Sequence, residues 1–186
     1  MLEELIIAGF GGQGVMSMGQ LLTYAGMVEG KYVAFIPSYG PEMRGGTANC
    51  SVTVSDGEIS SPIFNEPSSV IIMNQPSLEK FEPTVQPGGL LIINRSLVTK
   101  KATRSDIRVF EIDGSEHAEK LGNSKVSNIV ILGAYLELTK VVSIDSIVES
   151  LKKVLPERRH NLIPVNRQAL ELGAEVVQSL QVKGQI

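Results

Sequence analysis

The residues of this chain best suited to chemistry form a glycine-rich turn, Gly9-Phe10-Gly11-Gly12-Gln13-Gly14. The turn follows an apolar run, Leu5-Ile6-Ile7-Ala8, and a helical pattern opens behind it at Val15. Glycines let the backbone approach a ligand closely, and a helix N-terminus points unpaired N–H groups at it. Gly11, Gly12, Gln13 and Gly14 are therefore the candidate cofactor-binding residues of an anion site. Gly11 and Gly14 are expected to need positive φ or close backbone approach. The competing reading is that these glycines only permit tight helix–strand packing. A dinucleotide-binding turn also needs an acid for the ribose, about 20 residues on, at the end of the second strand. Here the second strand candidate, Tyr32-Val33-Ala34-Phe35-Ile36, ends in Pro37-Ser38-Tyr39, and the next acid is Glu42. The NAD function of such a turn is absent or replaced.

A second loop, Tyr39-Gly40-Pro41-Glu42-Met43-Arg44-Gly45-Gly46, joins a rigid Pro-containing bend to a Gly-Gly hinge. In a doubly wound sheet it emerges at the carboxyl edge, beside the first turn. Tyr39 and Arg44 are the candidate binding residues it adds. A guanidinium grips phosphate or carboxylate bidentately, which suits a phosphorylated cofactor or a partner's acidic loop. The plainer reading pairs Arg44 with Glu42 on a simple connection. No catalytic residue follows from the sequence. Cys50 sits in a strand-type run between Ala48 and Val52 with no nearby His, so it reads as a small buried residue rather than a nucleophile. Met16, Met18, Met27 and Met43 read as packing. His117 and His160 lack ligand-spaced partners, so no metal site is expected.

Strand-type runs occur at Leu5–Ala8, Tyr32–Ile36, Ala48–Ser55, Val70–Asn74, Leu90–Asn94 and Val109–Ile112. Val15, Met18, Leu22 and Ala25 recur at helical spacing, and Gly19 and Gly26 would let that helix lie close to a sheet. Asp56-Gly57 is a two-residue turn signal, which predicts a local hairpin between Ala48–Ser55 and Glu58–Ser60. Pro76–Phe81 reads as a short helix. Val126–Leu138 reads as a helix apolar on more than one face, deeply buried or covered by a partner. Ser143 is the expected cap of a helix ended by Pro156, and Asn166 the expected cap of the last one. The pattern predicts an α/β fold: a single Rossmann-like domain over residues 1–186, with a mostly parallel sheet, one hairpin and helices on both faces.

Composition fixes the class. Of 186 residues, 42% are hydrophobic and 20% charged, as in ordinary globular domains. A net charge of −3 with scattered Lys and Arg carries no nucleic-acid footprint. The one basic cluster, Lys100, Lys101 and Arg104, reads as a solvated loop. No apolar run approaches the roughly 20 residues that span a bilayer, so no membrane is expected and a cytoplasmic location is the default. With one cysteine the chain forms no internal disulfide and supplies too few thiolates for an iron–sulfur cluster.

Four blocks together resemble a known family. They are Gly9-Phe-Gly-Gly-Gln-Gly-Val15, Pro37-Ser-Tyr-Gly-Pro-Glu-Met-Arg-Gly-Gly46, Ser127-Asn-Ile-Val-Ile-Leu-Gly-Ala134 and Asn166-Arg-Gln-Ala-Leu-Glu-Leu-Gly173. They are similar to the gamma subunit of 2-oxoacid:ferredoxin oxidoreductases, the pyruvate and 2-oxoglutarate enzymes among them. The resemblance implies a subunit of a complex that decarboxylates a 2-oxoacid oxidatively, makes an acyl-coenzyme A and reduces ferredoxin. It implies thiamine diphosphate, Mg²⁺ and iron–sulfur clusters in the holo-complex, and none of them on this chain. Alpha and beta subunits would build the thiamine site, and beta and delta subunits or domains would carry the clusters. This chain would pack beside them on the coenzyme A side, without a complete active site of its own. Among 2-oxoacids the overall similarity inclines towards 2-oxoglutarate. Two other readings stand beside it: a free-standing Rossmann-type nucleotide-binding protein, and the beta subunit of indolepyruvate ferredoxin oxidoreductase.

Overall fold

In the computed structural model, residues 1–39 and 46–182 are described. In chain order the elements are β1 (Leu2–Phe10), α1 (Val15–Val28), β2 (Tyr32–Tyr39), β3 (Thr47–Ser55), β4 (Ser69–Ile72), α2 (Gln75–Phe81), β5 (Leu90–Asn94) and β6 (Arg108–Ile112). They continue with α3 (Gly114–Lys120), α4 (Ser127–Thr139), α5 (Ile144–Val154) and α6 (Ile163–Val182). The strands form one sheet in the order β2-β3-β1-β4-β5-β6. β1, β4, β5 and β6 run parallel, as apolar strands covered on both faces tend to. β3 runs antiparallel to both β1 and β2.

Alternation along each strand divides the core. Leu5, Ile7, Ile71 and Ile92 face α1, α4, α5 and α6, while Ile6, Ala8, Val70, Ile72 and Ile93 face α2 and the chain after β5. In α1, Val15, Met18, Leu22 and Ala25 are buried as their spacing requires. A Cβ on Gly19 would stand 2.7 Å from the Cys50 sulfur, and one on Gly26 would stand 2.6 Å from Val33, so both glycines let α1 sit low on the sheet. In α4 every residue from Ile129 to Leu136 is buried. No partner is needed to cover it, because α6 closes the outer side. The two helices approach so closely that a Cβ at Gly133 would meet the backbone of Leu170, and one at Gly173 the backbone of Val130.

Four expectations are corrected. The hairpin lies between β2 and β3, not at Asp56-Gly57. Both edges of β3 are already taken, and Glu58–Ser60 forms no strand. Asp56 instead accepts a hydrogen bond from the Met1 amino group at 2.9 Å and lies 3.4 Å from the Lys31 ammonium. Asn166 does not cap α6. The helix already starts at Ile163, where Pro164 suits a first turn, and the Asn166 amide donates to the Leu162 carbonyl at 2.7 Å. The basic cluster is not simply solvated. Lys101 is exposed, but Lys100 pairs with Glu79 at 2.5 Å, and Arg104 donates to the carbonyls of Glu82 and Val85 and to Asp106. Of the methionines, Met18 is buried and Met16 packs at the core margin, while Met27 is exposed. Met43 lies outside the described residues. Ser143 does cap α5, accepting from the Ser146 N–H at 3.1 Å.

Candidate functional site

β1 ends at the turn, and the turn is organised from within. The Gln13 side-chain oxygen accepts the Phe10 N–H at 2.6 Å, and the Gln13 N–H donates to the Phe10 carbonyl at 3.2 Å. The candidate residue Gln13 thus turns its side chain into the loop. A Cβ on Gly9 would lie 2.6 Å from that oxygen and 2.8 Å from Met73, so only glycine fits there. The left-handed angles fall at Gly12 (φ 93°) and Gly14 (φ 81°). Gly11 instead donates its N–H to the Gly46 carbonyl at 3.1 Å. Gly14 also presses on Asn128 of α4, whose amide occupies the space a Cβ would need.

Gly14 opens α1 without a side-chain cap, and the first turn of α1 carries no acid. The first intrahelical bond runs from the Met18 N–H to the Gly14 carbonyl at 3.0 Å. The N–H groups of Val15, Met16 and Ser17 therefore find no partner among the described residues, as at any uncapped helix start. They face a cleft of about 250 Å³, which is lined by Phe10, Gly11, Gly12, Gly14, Val15, Met16, Ser17, Tyr39 and Ala48.

Tyr39 arrives there by a route the sequence pattern hides. β3 lies between β1 and β2, with Ala48 opposite both Gly9 and Tyr39. Two antiparallel steps make β2 run in the direction of β1, so both strands end at the same edge. Tyr39 is 70% exposed, an aromatic face available beside the turn. Arg44, with Glu42 and Gly45, lies outside the described residues. The strand beside β1 also bears on NAD. A dinucleotide site takes its ribose acid from the end of the neighbouring strand. Here that neighbour is the antiparallel β3, which contributes Thr47 and Ala48 at this edge.

Cys50 is fully buried, its thiol 3.6 Å from the Val15 carbonyl, and burial pushes that thiol up to about 12. It is a packing group behind the turn. One such thiol does not fit an iron–sulfur cluster, and among the described residues no three of His, Cys, Asp and Glu gather as metal ligands. No described helix is long and apolar enough to cross a membrane. The residues sequence reasoning missed are Ser17 and Asn128. Ser17 could have been found as an exposed residue in the first turn of α1. Asn128 had no local signal, because α4 reaches the turn only through the tertiary fold.

A family model for pyruvate ferredoxin/flavodoxin oxidoreductase matches residues 4–176. The chain belongs to this family. The 2-oxoglutarate synthase subunit KorC of Methanothermobacter marburgensis is 33% identical, over 95% of this chain and 97% of its own length. The ketoisovalerate oxidoreductase subunit VorA of Methanothermobacter thermautotrophicus is 36% identical over 91% of this chain, which spans only 35% of that relative. The solved gamma subunit of a keto/oxoacid ferredoxin oxidoreductase from Geobacter sulfurreducens superposes with a TM-score of 0.79 at 29% identity. That match covers 95% of this chain and 99% of the solved one. Members of the family thus carry this domain both as a separate subunit and as part of a longer chain.

Proposed function

We propose that this chain is the gamma subunit of a 2-oxoacid:ferredoxin oxidoreductase and that its glycine-rich edge supports the coenzyme A side of the active site. The observation that carries the reading is the coextensive match to KorC, a subunit of a 2-oxoglutarate synthase. KorC matches over 95% of this chain and 97% of its own length, which supports a gamma-type subunit role, and 2-oxoglutarate is the first substrate to test. The alpha and beta subunits, and a delta subunit where the cluster domain is separate, would supply thiamine diphosphate, Mg²⁺ and the iron–sulfur clusters that pass electrons to ferredoxin.

The geometry supports an anionic cofactor at the edge. Unpartnered N–H groups and a helix dipole stabilise phosphate oxygens. Tyr39 offers an exposed aromatic face, and the sequence supplies Arg44 five residues after it, outside the described residues. Coenzyme A, when bound, accepts the acyl group as a thioester. The N–H groups at the start of α1 and Tyr39 would hold and orient its phosphates and would leave the carbon chemistry to the other subunits.

The test is purification of the native complex through a tag on this chain, followed by assay of several 2-oxoacids with ferredoxin or viologen. The reading expects larger partner subunits in the complex and reduction that depends on both 2-oxoglutarate and coenzyme A. A chain that purifies alone and binds NAD at low micromolar concentration would instead be a free-standing nucleotide-binding protein.

A further inference from the structure

Beyond the glycine-rich edge, on the other side of Ser17, lies a second concavity. It measures about 490 Å³ and is walled by α1, the start of α4, the end of α5 and the start of α6. That volume falls within the range of small-molecule sites, roughly 300–1,000 Å³. Its floor is apolar and includes Leu21, Ile129, Leu151 and Leu155. Its polar lining is one-sided in charge. Lys125 and Arg159 line it, and no carboxylate does. Both cations are exposed, and neither has an ion-pair partner among the described residues. The charged neighbours nearest in sequence are Glu157 and Arg158 in the turn that bears Arg159, and these do not line the cavity.

The hydrogen-bonding groups are also unmet. The side chains of Ser17 and Asn128 have no hydrogen-bond partner among the described residues. Asn166, only 7% exposed, donates its side-chain amide to the Leu162 carbonyl at 2.7 Å. The α4 helix begins beside the cavity without a side-chain cap and without an acid in its first turn. Here accessible donors, two cations without ion-pair partners among the described residues and an apolar floor converge on one space.

We infer that this cavity is a second binding site, for a phosphorylated small molecule of nucleotide size. Its phosphate would lie between Lys125 and Arg159, and its apolar ring would cover Leu21, Ile129 and Leu155. A Lys and an Arg without acids favour a multiply charged anion over a single carboxylate. The donors of Ser17 and Asn128 suit a ribose or a further phosphate oxygen. The same chemistry could come from a free nucleotide or from the phosphoadenosine end of coenzyme A. The inference concerns the folded chain itself and does not depend on its assembly into an oxidoreductase.

The test is titration of the full chain with ADP, coenzyme A and inorganic phosphate, followed by calorimetry and by amide chemical shifts. ADP or coenzyme A should bind more tightly than phosphate and shift the amides of Lys125, Leu155 and Asn166, which line this cavity and not the glycine-rich edge. Losing one charged hydrogen bond weakens binding about tenfold, so Lys125→Ala and Arg159→Ala should each do so. Lys152→Ala, an exposed charge outside the cavity, should not. Binding of both ligands that depends on Lys125 and Arg159 assigns the cavity to nucleotides generally, and binding of coenzyme A that ignores both variants belongs to the glycine-rich edge. No shift at Lys125, Leu155 and Asn166 with either ligand overturns the inference. So does affinity that survives the double variant Lys125→Ala/Arg159→Ala.

Discussion

Two polar regions, at the ends of β5 and of β1 on either side of β4, use their hydrogen bonds in opposite ways. After β5 the chain is tied down at nearly every polar group. Glu82, 6% exposed, accepts from the N–H groups of Thr103 and Arg104 and from the Thr103 hydroxyl. Arg95 donates to the carbonyls of Val98 and Thr99, and Asp113 accepts from the Ser96 hydroxyl and the Glu116 N–H. After β1 the chain is held from within by Gln13, while the donors at the start of α1 point outward without partners among the described residues. The first arrangement fixes a loop against the sheet. The second keeps donors ready for something that is not part of the fold. Charged residues by themselves therefore mark neither function nor its absence, because Arg104 is among the most engaged side chains of the molecule. What distinguishes the regions is whether the polar groups already have partners.

The comparison breaks first at Glu82. Glu82→Ala strands two backbone donors, the N–H groups of Thr103 and Arg104, and the Thr103 hydroxyl, at roughly 1–3 kcal/mol per orphaned buried group. We expect a loss of about 3 kcal/mol in urea unfolding and no direct effect on ligand binding. A stability change within about 0.5 kcal/mol would mean the loop is not held as described. Gly14→Ala comes next. It combines a left-handed residue, at about 1–2 kcal/mol, with a Cβ driven into Asn128, so a loss of about 2–3 kcal/mol is expected in the same measurement. Gly12→Ala separates the two costs. Its φ is also positive, but nothing lies within 4 Å of the new Cβ, so only about 1–2 kcal/mol should be lost. Equal losses at Gly12 and Gly14 would remove the packing role of Asn128.

Cys50 sharpens the contrast through pH. Its folded thiol is raised to about 12 by burial from an ordinary value near 9. A raised folded value gives stability that is fully present below pH 9 and is lost as pH rises from 9 towards 12, because the unfolded chain releases the proton first. Urea midpoints should therefore be insensitive to Cys50 at neutral pH and fall in that alkaline window, more steeply than in Cys50→Ala. Alkylation by iodoacetamide at pH 8 should report only unfolding.

Much of this was legible in the sequence because its causes are local. Apolar runs became strands where they were read, Ser143 capped α5, and the glycines of α1 lie against the sheet. The glycine turn and Tyr39 were placed at one edge, although the topology that brings them there differs from the expected one. β3 returns between β1 and β2, and that pairing is decided by the whole sheet rather than by the Asp56-Gly57 signal. Asn166 was misread for a related reason: a capping residue type says nothing about where the preceding 3₁₀ turn at Glu157–Leu162 hands over to the helix. Asn128 became a site residue only when α4 packed beside Gly14. No sequence spacing records that contact.

The most direct test of the central claim is Ser17→Glu. An acid in the first turn of α1 favours the helix dipole and should hold or raise stability, by about 0.3–1 kcal/mol. The same carboxylate would stand at the cleft beside the donors assigned to coenzyme A, compete for them and repel the phosphates. The account predicts an unchanged or higher Tm for the isolated chain, together with a KM for coenzyme A raised about tenfold or more in the purified complex, since a like-charge contact costs several kcal/mol. A variant equally stable or more stable, with wild-type KM for coenzyme A and wild-type turnover, would contradict it and reduce the glycine-rich edge to a packing device.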